Sequence, residues 1–223
     1  MSSAGNDVIF LGMKILAGFG IAIGSFLTGG IPFSWLLAKI AGFDLRRVGS
    51  GNPGATNLYR TAGAAWGITG LLLDVAKGVF PVLAARWLFP ELGAGAIVAA
   101  AAAIAGHIWT PYLGFRGGKG VATAAGAFLA INPLIVLIAV GVFAVIVAAT
   151  RYVSLGSMGG AVVVFGASFA LPLLAGRPVD PYFVAFCGVC AVSIIVAHRK
   201  NISRLIVGTE GKLGARRKDD SQK

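Results

Sequence analysis

Charged residues are scarce in this chain, and acidic ones are especially scarce. Only 12% of the 223 residues are Asp, Glu, Lys or Arg, against 57% that are hydrophobic, whereas soluble domains carry about 25% charged residues. Together with a mean hydropathy of +0.85, this composition excludes an ordinary soluble domain. The formal net charge of +11 is typical of proteins that bind nucleic acid or a membrane surface. In so apolar a chain we expect membrane lipid as the partner and no nucleic acid.

Cysteine and histidine are also scarce, with two residues of each. Cys187 and Cys190 are three positions apart inside an apolar run, so on a helix they share one face and are expected to be packing residues. A structural zinc site needs four ligands. We therefore expect no metal or redox site and no cofactor.

Long apolar runs make up most of the chain. A bilayer-spanning helix needs about 20 apolar residues, and six runs are present: 8–41, 62–88, 92–109, 121–149, 155–176 and 181–197. Asn132 and Pro133 interrupt the fourth run, and proline ends or kinks a helix. That run therefore divides into a short arm, 121–131, which rises only about 16 Å, and a longer arm, 133–149.

The basic residues are concentrated in four short segments. Fourteen of the 19 Lys and Arg residues lie in residues 42–62, 110–120, 150–156 and 198–223. Positive charge collects on the cytoplasmic side of a membrane, so all four segments should share that face. This requires an even number of membrane crossings between each pair of segments, and the split at Asn132 supplies the additional crossing.

These patterns predict an all-α integral membrane protein with seven transmembrane helices, one of them short. Its N-terminus would lie outside and its C-terminus in the cytoplasm. Residues 1–204 are expected to form a single seven-helix membrane domain, and residues 205–223 a basic cytoplasmic tail with a disordered end.

One glycine-rich stretch, GFRGGKGVAT at 114–123, has the composition of an anion-binding loop. Gly117, Gly118 and Gly120 let backbone N–H groups approach a ligand, and Lys119 stands just before a helix N-terminus. The stretch is not a Walker A loop, because Leu113 occupies the first glycine position and a glycine follows the lysine. The alternative is that these glycines only allow close helix packing.

A second glycine-rich stretch, GSGNPGATN at 49–57, adds hydroxyl and amide side chains. Arg60 follows it, and a guanidinium group can bind two phosphate oxygens at once. Both stretches fall on the predicted cytoplasmic face and predict a polar cavity there. The alternative for residues 49–57 is a solvated turn that caps the next helix.

Four motifs in this order resemble the bacterial acyl-phosphate:glycerol-3-phosphate acyltransferase family: GSGNPGATN with Arg60, GFRGGKGVAT, RYVSLGS at 151–157 and HRKNISRL at 198–205. The resemblance extends from IPFSWLLAK at 31–39 to LIVGTE at 205–210. It implies transfer of a fatty acyl group from acyl phosphate to the sn-1 hydroxyl of glycerol 3-phosphate in the bacterial inner membrane, giving lysophosphatidic acid and phosphate. Two phosphate-bearing substrates would account for two anion-binding loops, and we expect a monomer to be functional.

The resemblance also implies the site residues. The catalytic set would be Ser50, Arg60, Lys119, Ser154, His198 and Asn201. The phosphates would be bound by Gly51, Asn52, Gly54, Thr56, Asn57, Gly117, Gly118 and Gly120.

The motifs of other acyltransferases and of serine hydrolases are missing. No H-x-x-x-x-D motif is present, since the fifth residue after His107 is Tyr112 and the fifth after His198 is Ser203, and no G-x-S-x-G motif occurs. Acyl phosphate is already activated, so we expect direct displacement, with a substrate phosphate oxygen as a possible proton acceptor. His198 is then expected to orient its neighbours rather than to act as a base.

Two alternatives to an enzyme remain open at this stage. A small-anion membrane transporter would also need glycine-lined anion sites, but it should show related motifs in two halves and a site near the midplane, and no internal repeat is evident. If the protein were a structural scaffold, substitutions in the glycine-rich loops would leave cells and cell extracts unaffected. Asp74 and Lys77, three apart in an apolar run, are expected to form a structural ion pair rather than a catalytic dyad.

Overall fold

The computed structural model describes residues 3–214, with side chains from residue 9 onward. Ten α-helices follow one another in this part of the chain: α1 Ser3–Gly30, α2 Phe33–Ile40, α3 Ala55–Ala62, α4 Ala64–Leu88, α5 Gly95–Ile108, α6 Val121–Ile131, α7 Pro133–Thr150, α8 Val153–Leu174, α9 Pro181–Ala197 and α10 Arg199–Ile206. A short 3₁₀ turn, Pro111–Leu113, separates α5 from α6. No strand occurs between residues 3 and 214, so the all-α prediction is confirmed.

Prolines and their neighbours set several helix boundaries. The predicted break at Asn132 is confirmed: α6 ends at Ile131, and the Asn132 side chain accepts a hydrogen bond from the Ile135 N–H at 3.4 Å to cap α7. Pro32 likewise separates α1 from α2, a break that we did not predict within the run 8–41. At the start of α9, the Asp180 side chain accepts hydrogen bonds from the N–H groups of Tyr182 and Phe183.

Five segments are long and apolar enough to cross a membrane, and the bent pair α9–α10 would make a sixth. The helix α6, with 11 residues, is too short to meet that criterion. A multi-pass helical membrane protein is therefore confirmed, whereas the count of seven, with α6 as the short helix, stays a prediction. Large apolar side chains face outward, as Trp87 and Leu174 do at 82% and 85% exposure, and would contact lipid.

Small residues let the central helices approach closely. A Cβ atom added at Gly78 or Gly126 would overlap backbone atoms across the contact between α4 and α6, and one at Gly106 would overlap the Phe26 carbonyl of α1. Such contacts replace the hydrophobic driving force that helices lack in lipid. They hold α4 against α6 and α5 against α1. The loops of the site described next begin or end at these helices.

The predicted boundary at residue 204 falls within α10. Residues 208–214 continue from α10 and lie against the rest of the chain, as shown below, so the described fold extends to Gly214. The end of the predicted basic tail, residues 215–223, lies outside the described residues.

Candidate active site

The four basic motif segments meet at one end of the helical bundle, around a cavity of about 580 Å³. Lys119 Nζ donates a hydrogen bond to Asn201 Oδ1 at 2.5 Å, which joins the second glycine-rich stretch to α10. Arg60 Nη2 donates to the Gly211 carbonyl at 2.8 Å and joins α3 to the segment after α10. These contacts and the cavity lining bring the four segments together, whereas their placement on the cytoplasmic face of a membrane stays a prediction.

All six predicted catalytic residues line this cavity, and so do Asn52, Gly54, Thr56, Asn57 and Gly120. Three predicted phosphate-binding glycines do not. Gly51 donates its N–H to the Val48 carbonyl, Gly117 to Ile108 and Gly118 to His107, each at 3.0 Å. Because these donors are already used, the structure does not support phosphate contacts by these three glycines. Their small size instead lets the loops fold tightly.

Helix N-termini supply other backbone donors. The helices α3, α6 and α8 all begin at the cavity, which is lined by the first two residues of each: Ala55 and Thr56, Val121 and Ala122, and Val153 and Ser154. The first N–H groups of a helix have no partner within it and carry a partial positive charge. Three such ends, with Arg60 and Lys119, make this part of the cavity suited to anions.

The loop of residues 114–120, which we name the lysine loop, places Lys119 at the start of α6. Gly120 adopts a left-handed conformation with φ of 80° immediately before that helix, which glycine tolerates without strain. Burial, only partly offset by the charge of Glu210, lowers the pKa of Lys119 to about 8. The side chain is therefore still mostly cationic at neutral pH.

Glu210 is a central residue of the site that the sequence analysis did not assign. Its Oε1 accepts hydrogen bonds from Ser154 Oγ at 2.8 Å and Asn201 Nδ2 at 2.6 Å, and its Oε2 accepts from Arg204 Nε at 2.7 Å. Burial disfavours the charged carboxylate, but these three hydrogen bonds outweigh it and hold the pKa of Glu210 below its ordinary value. A signal was present in the sequence, since Glu210 is the only acidic residue between 198 and 218.

The tautomer of His198 follows from its partner. Its Nδ1 lies 2.8 Å from the Ile194 carbonyl oxygen, which can only accept, so Nδ1 carries a proton. In the neutral ring, Nε2 is then a hydrogen-bond acceptor. His198 is buried at the bend between α9 and α10 and also lines the cavity.

Asn57 builds the first glycine-rich loop from within. Its Nδ2 donates to the carbonyls of Leu45, Val48 and Asn52 at 3.0–3.1 Å, and its Oδ1 accepts from the Ser50 N–H at 2.9 Å. The side chain is 2% exposed. These contacts occupy its polar atoms, so Asn57 positions the backbone of the loop and has little left to offer a ligand.

The segment of residues 208–214, which we name the C-terminal strap, covers part of the site. It is held by the Arg60 contact to Gly211 and by two sets of hydrogen bonds with Arg151. Arg151 Nε and Nη2 donate to the Leu213 carbonyl at 3.0 and 2.7 Å, and the Leu213 N–H donates to the Arg151 carbonyl at 2.7 Å. Leu213 and Glu210 both line the cavity. Sequence analysis missed Arg151 because the partner of this residue is more than 60 positions away.

The cavity becomes apolar away from the loops. Phe128, one lining residue, is seven positions beyond Val121 on α6, or about 10 Å along the helix. Val140 and Phe143 of α7, with Val164 of α8, line the same region. Phe128 also packs on Phe186 of α9 with ring centroids 5.2 Å apart. Among the described residues, no group of three or more His, Cys, Asp or Glu side chains could hold a metal ion.

The fold and the site together define a class: a multi-pass helical membrane protein whose cavity joins a cationic end to an apolar chamber. Comparison with known proteins identifies the family. The glycerol-3-phosphate acyltransferase profile matches residues 19–208, and the chain belongs to this family.

Curated relatives and solved structures agree with this assignment. The chain is 48% identical to the glycerol-3-phosphate acyltransferase of Geobacter sulfurreducens over 193 residues, which are 86% of this chain and 95% of the relative. It is 42% identical to that of Clostridioides difficile, over 92% of this chain and 100% of the relative. The crystal structure of PlsY (YgiH), an integral membrane glycerol 3-phosphate acyltransferase, is similar in its glycerol 3-phosphate form with a TM-score of 0.80 and 36% identity, covering 88% and 96% of the two chains. Its lysophosphatidic acid form gives a TM-score of 0.78 at the same identity, covering 88% and 95%.

Proposed function

We propose that this chain transfers a fatty acyl group from acyl phosphate to the sn-1 hydroxyl of glycerol 3-phosphate, producing lysophosphatidic acid and phosphate. The observation that carries the proposal is the two-part cavity, in which a cationic end with three helix N-termini is continuous with an apolar chamber. Family membership supports an acyltransferase over a small-anion transporter. Related proteins have been solved in glycerol 3-phosphate and lysophosphatidic acid forms.

Both phosphates are assigned to the cationic end. The N–H groups at the starts of α3 and α6, together with Arg60 and Lys119, bind phosphate oxygens. The acyl chain lies in the apolar chamber beside Phe128, where its burial from water is favourable. In this proposal the acyl carbonyl lies at the boundary of the two regions, next to the glycerol hydroxyl.

The reaction is a direct displacement. The sn-1 oxygen attacks the acyl carbonyl carbon, the bond from that carbon to the phosphate oxygen breaks, and the hydroxyl proton passes to a phosphate oxygen. The Ser154 hydroxyl donates a hydrogen bond to Glu210, so the Ser154 oxygen can accept a hydrogen bond from the glycerol hydroxyl. His198 Nε2 is a second acceptor. Both orient the nucleophile, while Lys119 stabilises the charge that develops on the departing phosphate.

The membrane orientation is part of the proposal. The described segments around the cavity, 42–62, 110–120, 150–156 and 198–214, carry ten of the 19 Lys and Arg residues. This supports a cytoplasmic active site and C-terminus, with the N-terminus outside.

A turnover experiment with purified protein in detergent tests this function. Labelled glycerol 3-phosphate is supplied with palmitoyl phosphate or with palmitoyl-CoA, in buffer containing EDTA, and Lys119→Ala is the matched control. We expect labelled lysophosphatidic acid from the acyl phosphate alone, and much less from the variant. Full activity with acyl-CoA alone would contradict the assigned donor, and absence of product from both donors would contradict the function.

A further inference from the structure

A second cluster of buried polar side chains lies behind the lysine loop, and none of the roles assigned above uses it. Asp74 and Lys77 of α4 form an ion pair with Lys77 Nζ 2.9 Å from Asp74 Oδ1, and both are at most 4% exposed. Lys77 Nζ also donates to the Ile31 carbonyl at 2.6 Å, and Ser34 Oγ donates to Asp74 Oδ2 at 3.0 Å. The pair thus connects α4 to the break between α1 and α2.

The same cluster contacts the first turn of α6 through Thr123 and the lysine loop through His107. Thr123, in the first turn of α6, lies with its Oγ1 3.1 Å from the Asp74 carbonyl and 3.0 Å from His107 Nδ1. The His107 ring lies directly under the loop, because a Cβ atom added at Gly118 would overlap its Nε2. The His107 carbonyl accepts the Gly118 N–H at 3.0 Å. Lys119 is therefore attached on both sides to residues that this cluster fixes.

Stability alone does not account for such a pair. Removing two charges from water costs several kcal/mol per ion, and apolar replacements of buried ion pairs are often neutral or stabilising. Ionisable residues inside a membrane protein are costly and usually have a functional role. Asp74 is ten residues into α4, about 15 Å from its start, and His107 and Asp74 also line the main cavity.

We propose that Asp74, Lys77, Thr123 and His107 are positioning residues for phosphate binding: they hold the lysine loop and the N-terminus of α6 at the height where Lys119 and the free helix N–H groups reach the anion. None of the four needs to touch the substrate. The proposal rests on the proposed function for the identity of the anion. The contacts that hold the lysine loop and α6 do not depend on that function.

A pair of substitutions at Thr123 tests the proposal. Thr123→Val keeps the shape and removes the hydroxyl, whereas Thr123→Ser keeps the hydroxyl and serves as the matched control. Binding of glycerol 3-phosphate to purified protein is measured by calorimetry, beside the thermal unfolding temperature. Losing a hydrogen bond to a charged group, here the anion, costs roughly 10- to 150-fold in affinity, so we expect Thr123→Val to weaken binding by at least about ten-fold and Thr123→Ser to remain close to wild type.

A double variant separates positioning from folding. Asp74→Leu with Lys77→Met removes both charges together and leaves no unpaired ion in the membrane. We expect this protein to unfold within a few degrees of wild type while its affinity for glycerol 3-phosphate falls at least about ten-fold, with a raised KM for a phosphate substrate. Unchanged affinity in Thr123→Val, or in a folded double variant, would overturn the positioning role. Because binding is measured without turnover, failure of the catalytic assignment would be seen separately, as binding without product.

Discussion

The protonation of Lys119 should determine how the activity depends on pH. Burial lowers the pKa of this side chain to about 8, and only the ammonium form can bind phosphate as a cation. With that pKa, about 90% of the free enzyme is active at pH 7 and about 10% at pH 9. Phosphate monoesters lose their second proton near pH 6, so glycerol 3-phosphate does not change charge over this range. We therefore expect kcat/KM to fall about ten-fold between pH 7 and pH 9.

The assay is a pH–rate profile of wild type beside Lys119→Arg. The guanidinium group remains protonated throughout, so the variant, although less active at pH 7, should show no decline towards pH 9. Acyl phosphate remaining at each pH is measured as a control for its hydrolysis. Unfolding caused by titration of Lys119 would not explain a loss of activity towards pH 9. Between the pKa of Lys119 in the folded protein and its ordinary pKa, the unfolded chain binds more protons than the folded protein, so the free energy of unfolding rises with pH. Profiles of the same shape for wild type and Lys119→Arg would refute the reasoning.

Three further predictions concern the Glu210 carboxylate, the Arg60 guanidinium group and the orientation of the protein in the membrane. Glu210→Gln keeps the side-chain shape but removes the charge that orders Ser154 and Asn201, so kcat/KM should fall about 10- to 150-fold; wild-type kinetics would contradict its role. Arg60→Lys keeps the charge but loses the fork and should lower kcat/KM by more than about ten-fold, whereas unchanged kinetics for both substrates would exclude a two-point phosphate contact. Single cysteines in a background lacking the native pair should react with an impermeant reagent from the cytoplasm at Arg47, Phe115 and Lys200, and from outside at Glu91 and Tyr182. The proposed orientation would be refuted if the labelling sides of the two groups were exchanged, or if the positions within one group reacted from different sides.

The sequence was most informative where one residue sets local geometry. The length of the apolar runs predicted the helices, and Pro133 with Asn132 predicted the boundary between α6 and α7 because both act on their own backbone. The break at Pro32 was missed although the same kind of signal was present, since a proline stands inside that apolar run as well and proline ends or kinks a helix.

The sequence pointed to residues that line the cavity but not to the contacts between them. Lys119 and Asn201 were both assigned, but their hydrogen bond joins positions 82 apart. Nothing local predicts this. Gly117 and Gly118 were assigned to phosphate because glycine exposes its N–H, yet those donors bind the end of α5. Which partner a free N–H finds depends on tertiary packing. The same is true of Glu210, since Asn201 and Arg204 are near it in sequence but Ser154 is 56 positions away.

The most direct test of the account is a structure of this protein with glycerol 3-phosphate and a non-hydrolysable acyl phosphonate bound together. We expect both phosphorus groups at the cationic end, with oxygens within about 3 Å of Lys119 Nζ, Arg60 or the first N–H groups of α3 and α6. The acyl chain should extend into the apolar chamber beside Phe128, with the sn-1 oxygen facing the acyl carbonyl. Phosphorus groups bound away from these donors, or an acyl chain outside the chamber, would contradict the assignment of the cavity as the site of acyl transfer.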